Sequence, residues 1–488
     1  MSFDYAGLFY AFGPEAALVL GALAVLGLDL TLFRRRTPGE RLRLALWVAS
    51  LAVLAAGVHV WRSGTPGPVY GGVLILDHLA VATRLGVLVL TLLTLGVARG
   101  AVVPRQPAEY VAVMLFASTG LLLMAAAQQL LLVFLALELA SLSLYVIAGF
   151  DRSRPDSAEA GLKYFLFGGM AAAFLLFGFS LIYGVTGSIE LPQIAAQLAV
   201  QGSNPLLSIA LVMVLVGFGF KTAAAPFHLW APDVYQGAPA PSAALVASAS
   251  KLAGFTLFTR LLWPGLSAAA GSVSSFRAAP GWLPAVAVIA AASLLLGNLV
   301  ALAQSNIRRL LAYSAIAHSG AMLLGVMAAG RAGPAPLFYY ASTYGLATVG
   351  AFGVISAVER GGRCESISDL AGLHRRSPLL AACLAVFILS LAGIPPLAGF
   401  FGKFTVFAAA IRLGGIAAPA GALAVLAIAL SAVALYYYLI VLKQALVAPP
   451  AADAPPIKVP PATALALVAA AGLIVWFGLS PGQLLGLF

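Results

Sequence analysis

Uninterrupted apolar stretches dominate this chain, separated by short polar segments. A helix of about 20 apolar residues crosses the hydrocarbon core of a bilayer. Windows of that length recur fourteen times, at roughly 14–33, 42–61, 78–98, 110–127, 129–150, 159–184, 206–230, 241–263, 282–303, 308–329, 336–359, 379–413, 418–445 and 461–480. The long twelfth window is interrupted by Pro395 and Pro396, and the seventh by Pro226; proline removes a helical hydrogen bond and breaks or kinks the helix. The pattern predicts an all-α polytopic membrane protein with about fourteen transmembrane helices and broken seventh and twelfth helices.

Charge at the window ends tests that count, because arginine and lysine concentrate on the cytoplasmic side. Loops after odd-numbered helices, with their flanking ends, carry Arg34, Arg35, Arg36, Arg41, Arg43, Arg99, Arg105, Arg152, Arg154, Arg308, Arg309, Arg360, Arg363, Arg375 and Arg376. The opposite side has Arg62, Arg84, Arg260, Arg277, Arg331 and Arg412. The asymmetry alternates in step with the helices and predicts both termini outside. Arg34–Arg36 follow the first apolar run instead of preceding it, so that run is expected to be a span and not a signal peptide.

Composition narrows the class further. Of 488 residues, 62% are hydrophobic and 9% charged, with a mean hydropathy of +1.02, against roughly 25% charged in soluble domains. So little polar surface excludes a soluble enzyme, a nucleic-acid binder and a disordered chain. The net charge of +11 therefore matters through its distribution. Cys364 and Cys383 are the only cysteines, lack metal-ligand spacing and imply neither a cluster nor a disulfide framework. The sequence has no G-x-G-x-x-G or Walker loop, so no redox cofactor or nucleotide is expected in this chain.

Two sections share an organisation. Windows four to eight (110–263) and nine to thirteen (282–445) each hold five spans, and the fourth of each is proline-interrupted. Five is odd, so the second set enters from the opposite side, the arrangement of an inverted repeat with sites near the midplane. Residues 1–109 then form three N-terminal helices and 446–488 the last helix.

Ionisable residues inside the apolar windows carry the candidate chemistry. The chain has 21 arginines and six lysines. Lys221, Lys251 and Lys403 lie within apolar segments, and Glu138 lies in the middle of LLLVFLALELASLSLYV. Each such charge costs about 2.5–3.5 kcal/mol at the bilayer centre, so partners or buried water are required. A desolvated lysine can release its proton near neutral pH, whereas a guanidinium stays charged; this suits proton transfer. His228, two helical turns beyond Lys221 and past the Pro226 break, and His318, in the middle of the tenth window, are candidate relays. Lys163 stands four residues after Glu159, where a surface ion pair competes with a relay role. His59, His78 and His374 fall at helix ends or in loops.

The stretch FKTAAAPFHLWAPDVYQGAPAPSAALVASASKL resembles the core motif of the antiporter-like membrane subunits of respiratory complex I. LELASLSLYVIAGF, GLKYFLFGGMAAAFLLFGFSLIYG and DLAGLHRRSPLLAACLAVFILSLAGIPPLAGFFGKF are similar to subunit N of bacterial NADH:quinone oxidoreductase. The resemblance covers nearly the whole chain and is weakest in the first hundred residues. It implies fourteen core helices in inverted five-helix repeats, with Glu138 on the fifth helix paired with Lys221 on the seventh. It also implies a central Lys251, a terminal Lys403, and Lys163 and His318 along the same hydrophilic axis. The implied function is proton translocation in the bacterial inner membrane, with both termini periplasmic. Flavin, iron–sulfur clusters and quinone would belong to partner subunits, and the partners would be the other membrane subunits and the peripheral arm. Tyr235 stands where several relatives have histidine, so no relay is placed there. A subunit of a multi-subunit cation/proton antiporter, which would share the fold, is the alternative; a passive scaffold would gain nothing from midplane lysines.

Overall fold

A computed structural model describes residues 5–62, 67–69, 71–101, 105–202, 204–275, 279–362, 364–450 and 456–488. Arg277 and Arg363 of the charge tally lie outside the described residues. The order is α1 (Tyr5–Thr31), α2 (Pro38–Arg62), a two-stranded hairpin of β1 (Gly67–Val69) and β2 (Leu74–Leu76), α3 (His78–Ala98), α4 (Pro107–Ala126), α5 (Leu130–Ala148), α6 (Pro155–Thr186) and α7 (Leu191–Gln201). Next come α8 (Pro205–Thr222), α9 (Trp230–Gly237), α10 (Ala240–Ala247), α11 (Ala249–Arg260), α12 (Trp282–Ala301), α13 (Ile307–Ala332) and α14 (Ala335–Glu359). The chain finishes with α15 (Leu373–Arg376), α16 (Pro378–Ala392), α17 (Ala398–Ile411), α18 (Pro419–Leu446), α19 (Pro461–Leu479) and α20 (Gly482–Leu485).

Among the described residues, thirteen helical runs are long and apolar enough to cross a membrane, one of them Ala240–Gly265, which joins α10, α11 and a π-turn. The twelfth window accounts for the fourteenth span in two shorter pieces, α16 and α17. Both proline interruptions fall where the sequence places them: Ala223–Leu229 separates α8 from α9, and Gly393–Leu397 separates α16 from α17. Each has a cis X-Pro bond, at Pro226 and Pro396. Proline initiates many of the helices, including α4, α6, α8, α16, α18 and α19, where its missing N–H costs nothing.

Three features depart from the sequence reading. The β1–β2 hairpin and the short α7 lie between windows and carry no membrane-length signal. The eighth span is broken at Ser248, whose φ of −116° and ψ of −84° lie outside the helical region; no proline or glycine announces that break. In addition, Arg84, Arg260 and Arg308, counted as helix-end charges, are buried and paired with Glu15, Asp77 and Glu359. A charge that enters the protein interior must find such a partner.

The repeat is visible in the backbone. Leu130 N–H donates to Ile189 O (2.8 Å) and Leu191 N–H to Gln128 O (3.1 Å); Ile307 N–H donates to Glu365 O and Ile367 N–H to Ser305 O, both at 2.9 Å. The same two-bond bridge thus ties the start of span five to the end of span six, and the start of span ten to the end of span eleven. Span six packs on both halves of span seven, and span eleven on both halves of span twelve. Gly120 on α4 and Gly297 on α12 sit at matching places: a Cβ there would come within 2.4 Å of the backbone nitrogens of Ala140 and Ala317.

Burial sorts the spans into a centre and a rim. The windows of Ala240–Gly265, α13 and α14 are 100%, 94% and 94% buried, against 33% for α6 and α19. The rim exposes Leu162, Phe165, Leu166, Met170 and Phe177 on α6 and Trp47, Leu51 and Leu54 on α2, apolar faces suited to lipid or neighbouring subunits. The buried lysines face the centre.

Candidate functional site

Three lysines and a histidine occupy the buried centre, each lysine near a helix interruption. Lys221 lies in the last turn of α8. Helix interruptions release carbonyls that would otherwise bond along the helix, and those oxygens become acceptors. Lys221 Nζ donates to Ser141 Oγ at 3.2 Å. Glu138, half-buried, stands one turn before Ser141 on α5. The expected direct pairing of Glu138 with Lys221 is absent: among the described residues Glu138 has no ion pair within 4.0 Å. Instead Ser141 receives the lysine, and the two charges act on each other at longer range.

Lys251 follows the Ser248 break and is the most enclosed of the three. Its Nζ donates to Ala315 O (2.5 Å) and Ser319 Oγ (2.6 Å) and lies 5.4 Å from the centre of the Tyr344 ring. Ser319 Oγ is also 2.6 Å from Thr222 O and 2.9 Å from Ala315 O. Thr222 ends α8, immediately after Lys221. A continuous hydrogen-bonded route therefore runs from Lys251 through Ser319 to the broken end of the helix that carries Lys221.

His318 is next to Ser319 on α13 and stands as far beyond its β-bridge as Ser141 does beyond the matching one. Its Nδ1 is 2.7 Å from the Tyr340 hydroxyl and its Nε2 3.2 Å from the Tyr438 hydroxyl; Tyr438 in turn bonds Ser314. On the far side of His318, Lys403 Nζ donates to Ala392 O (2.9 Å), the last carbonyl of α16. Gly393 occupies the left-handed region at φ +88°, and a Cβ there would come within 3.0 Å of Lys403 Cδ, so backbone and lysine stem both require glycine. Between His318 and Lys403 is a cavity of about 20 Å³, lined also by Asn298, Tyr340, Ser431 and Tyr437. That is room for one water with several polar partners.

His228 and Lys163 lie off this line. His228 is in the α8–α9 interruption, and its buried Nδ1 has no partner; no hydrogen bond joins it to the lysines. The interruption itself is anchored by Ala225 N–H to Ser293 Oγ (2.8 Å) and Trp230 Nε1–H to Phe220 O (3.1 Å). Lys163 is 37% exposed and bonds Glu159 and Asp233, each at 2.6 Å, while Arg309 also holds Asp233 at 2.7 Å. The competing surface pair with Glu159 is therefore present, extended to α9. Tyr235 is buried with an unpartnered hydroxyl against Phe352.

The array can hold protons at amines, an imidazole and hydroxyls spaced by hydrogen bonds or one water. Sequence reasoning missed Ser141, Ser319, Thr222, Tyr340 and Tyr438, the groups that connect the stations. The signal was a polar residue in an otherwise apolar span, but serine and threonine commonly bond their own helix, which concealed these. Among the described residues no three His, Cys, Asp or Glu side chains are grouped to hold a metal, and Cys364 and Cys383 are buried free thiols.

Residues 127–431 match the family described as NADH:quinone oxidoreductase/Mrp antiporter, transmembrane. The chain is similar to a protein of Acidobacterium capsulatum named NADH-quinone oxidoreductase subunit N 2, with 48% identity over 97% of this chain and 96% of that one. It is also similar to a chain of the respiratory complex I of Thermus thermophilus, with 36% identity, a TM-score of 0.78, and 97% and 98% of the two chains covered. A chain of the Mrp complex of a Dietzia species shares the fold, with a TM-score of 0.80, 23% identity, and 97% and 96% covered.

Proposed function

Because the chain belongs to the NADH:quinone oxidoreductase/Mrp antiporter family of membrane subunits, we propose that it carries protons along its buried lysine axis as subunit N of a respiratory complex I. It is an antiporter-like, proton-translocating membrane subunit that works among partner subunits. The 48% identity to a subunit N along nearly the full chain carries this reading. The Mrp likeness, at 23% identity, speaks for fold alone and leaves the cation/proton antiporter second.

In this reading Glu138 and Lys221 form the first station, Lys251 the centre and Lys403 the terminal one. Ser141, Ser319 and His318 bridge them, with water between His318 and Lys403. Lys163 and His228 sit at the margins, Lys163 as an electrostatic neighbour and His228 as a branch. The chain supplies no redox group; partner subunits hold the flavin, iron–sulfur clusters and quinone whose chemistry drives it. Moving one elementary charge against 100 mV costs about 2.3 kcal/mol, so that coupling is obligatory. The membrane is the bacterial inner membrane, with both termini periplasmic and the arginine-rich loops cytoplasmic.

Lys221→Ala in the assembled complex should lower proton pumping and, through tight coupling, NADH:quinone reductase activity. Pumping would be read by a pH-sensitive dye in inverted vesicles and turnover by NADH oxidation. An unchanged rate with an unchanged proton-to-electron ratio sinks the role of Lys221. Purification of the tagged chain in mild detergent separates the two family readings. Co-purifying flavin and iron–sulfur absorbance supports complex I, and a cofactor-free set of small membrane proteins supports the antiporter.

A further inference from the structure

A second polar feature lies away from the axis, at the ends of α2, α3, α14 and α19. A cavity of about 570 Å³ is lined there by Arg43, Arg99, Arg360 and Lys458, with Glu40 as the carboxylate among its described lining residues. Arg43 is in the second turn of α2, Arg99 caps α3, Arg360 caps α14, and Lys458 stands just ahead of α19. All four belong to the arginine-rich side. None forms an ion pair with a described carboxylate.

Glu40 is engaged elsewhere. It accepts from Thr37 N–H (3.1 Å) and Thr37 Oγ1 (3.2 Å) at the start of its own helix and faces Arg36 at 3.9 Å. Burial and the nearby Arg43 charge both work against the Arg99 cation, and Glu40, which also acts on Arg43 at longer range, sets one carboxylate against four cations. Apart from Thr37 and Gly39, its remaining walls are apolar: Leu42, Leu46, Val459, Pro460 and Pro461.

Beneath the cations an accessible apolar track begins. On α3, Leu85, Val89, Leu92 and Gly96 stay partly open at alternating spacings of four and three that lead up to Arg99; those spacings put them on one helix face. α2 and α19 each pack on α3. On α2, Trp47, Leu51, Leu54 and Val58 are exposed on the face below Arg43. Four cations at the level of the helix ends, above an open apolar track, match an anionic headgroup with acyl chains below it.

We propose that this pocket binds the phosphate of an anionic phospholipid, with its acyl chains along α2 and α3. Phosphate bonding alone would equally suit a free phosphate ion, and only a lipid uses the track.

The test is native mass spectrometry of the full chain in detergent, offered equal amounts of dioleoyl phosphatidylglycerol and dioleoyl phosphatidylcholine, with and without 10 mM inorganic phosphate. The wild type should retain phosphatidylglycerol preferentially and keep it in phosphate. Arg99→Gln with Arg360→Gln removes two of the four cations and should weaken that retention about 30-fold, at roughly fivefold per cation. Arg152→Gln removes a charge on the same side outside this pocket and should leave the preference unchanged. Equal retention of the two lipids by the wild type, displacement of phosphatidylglycerol by inorganic phosphate, or equal losses in the Arg152→Gln and double variants would each overturn the proposal. Should the double variant fail to fold, Lys458→Gln, before the start of α19, gives the same reading with about a fivefold loss expected.

Discussion

Ser319 is the residue on which the axis turns. Its hydroxyl receives Lys251 and reaches both Thr222 O and Ala315 O, so it joins the central lysine on α11 to the broken end of α8. Ser319→Ala removes that link while leaving Lys251 the Ala315 carbonyl. A net hydrogen bond contributes about 0.5–1.5 kcal/mol, so proton pumping by the assembled complex should slow by about twofold to thirteenfold, with complex yield unchanged. Pumping at the wild-type rate would remove Ser319 from the route. Lys251→Arg should be more damaging, because a guanidinium keeps its proton and its planar head does not fit the space of an ammonium donating to two oxygens. The lysines were legible in the sequence because charge is rare and costly in apolar spans. Ser319 was not, since a serine in a helix advertises nothing until its neighbours are known.

At the scale of elements, close helix packing and helix breaks do separate work. Gly120 and Gly297 let α4 meet α5 and α12 meet α13 backbone to backbone. Gly120→Ala or Gly297→Ala should each destabilise the chain by about 1–3 kcal/mol, as overpacking does, while Gly169→Ala, with nothing within 4 Å of the new Cβ, should not. Thermal denaturation in detergent reads the difference. The two proline breaks were legible because proline cannot continue a helix. The Ser248 break was not, because it falls at a serine that bonds back to Ala244 O of its own helix, with no proline or glycine to mark it.

A third element-level case is Asp77, which caps α3 through Ala80 N–H (2.7 Å) and holds Arg260 with two bonds of 2.8 and 2.9 Å. Burial raises its carboxyl pKa, but the Arg260 guanidinium and the Ala80 N–H outweigh burial and hold it below the usual carboxylate range. A lowered folded value means the stabilisation is complete above about pH 4, the ordinary aspartate range, and is lost as pH falls through the folded value. Asp77→Asn should therefore lower the melting temperature at pH 7 and flatten its decline in acid. A parallel decline in wild type and variant would contradict this.

Across the whole molecule, the inverted repeat could be anticipated from the count of spans and the two breaks, because each leaves a mark on hydropathy. The matching β-bridges could not, since they are made by backbone atoms of loop residues with no sequence signature. Together they place two similar five-span units around one buried centre, with an exposed apolar rim. The hydrogen-bonded link from Lys251 to Thr222 lies at that centre, where the second unit reaches the broken helix of the first. A hydroxyl has one hydrogen. While Lys251 is an ammonium, Ser319 must spend that hydrogen on a carbonyl, and Thr222 O is its shorter contact. Once the amine is neutral, its lone pair becomes a third claimant, and turning toward it deprives Thr222 of its partner. An isotope-edited Thr222 carbonyl stretch that stayed fixed through the titration of Lys251 would rule this out. On the proposed proton route Ser319 would act as a one-bit register: the direction of a single O–H would tell the end of the seventh helix whether the central lysine is loaded.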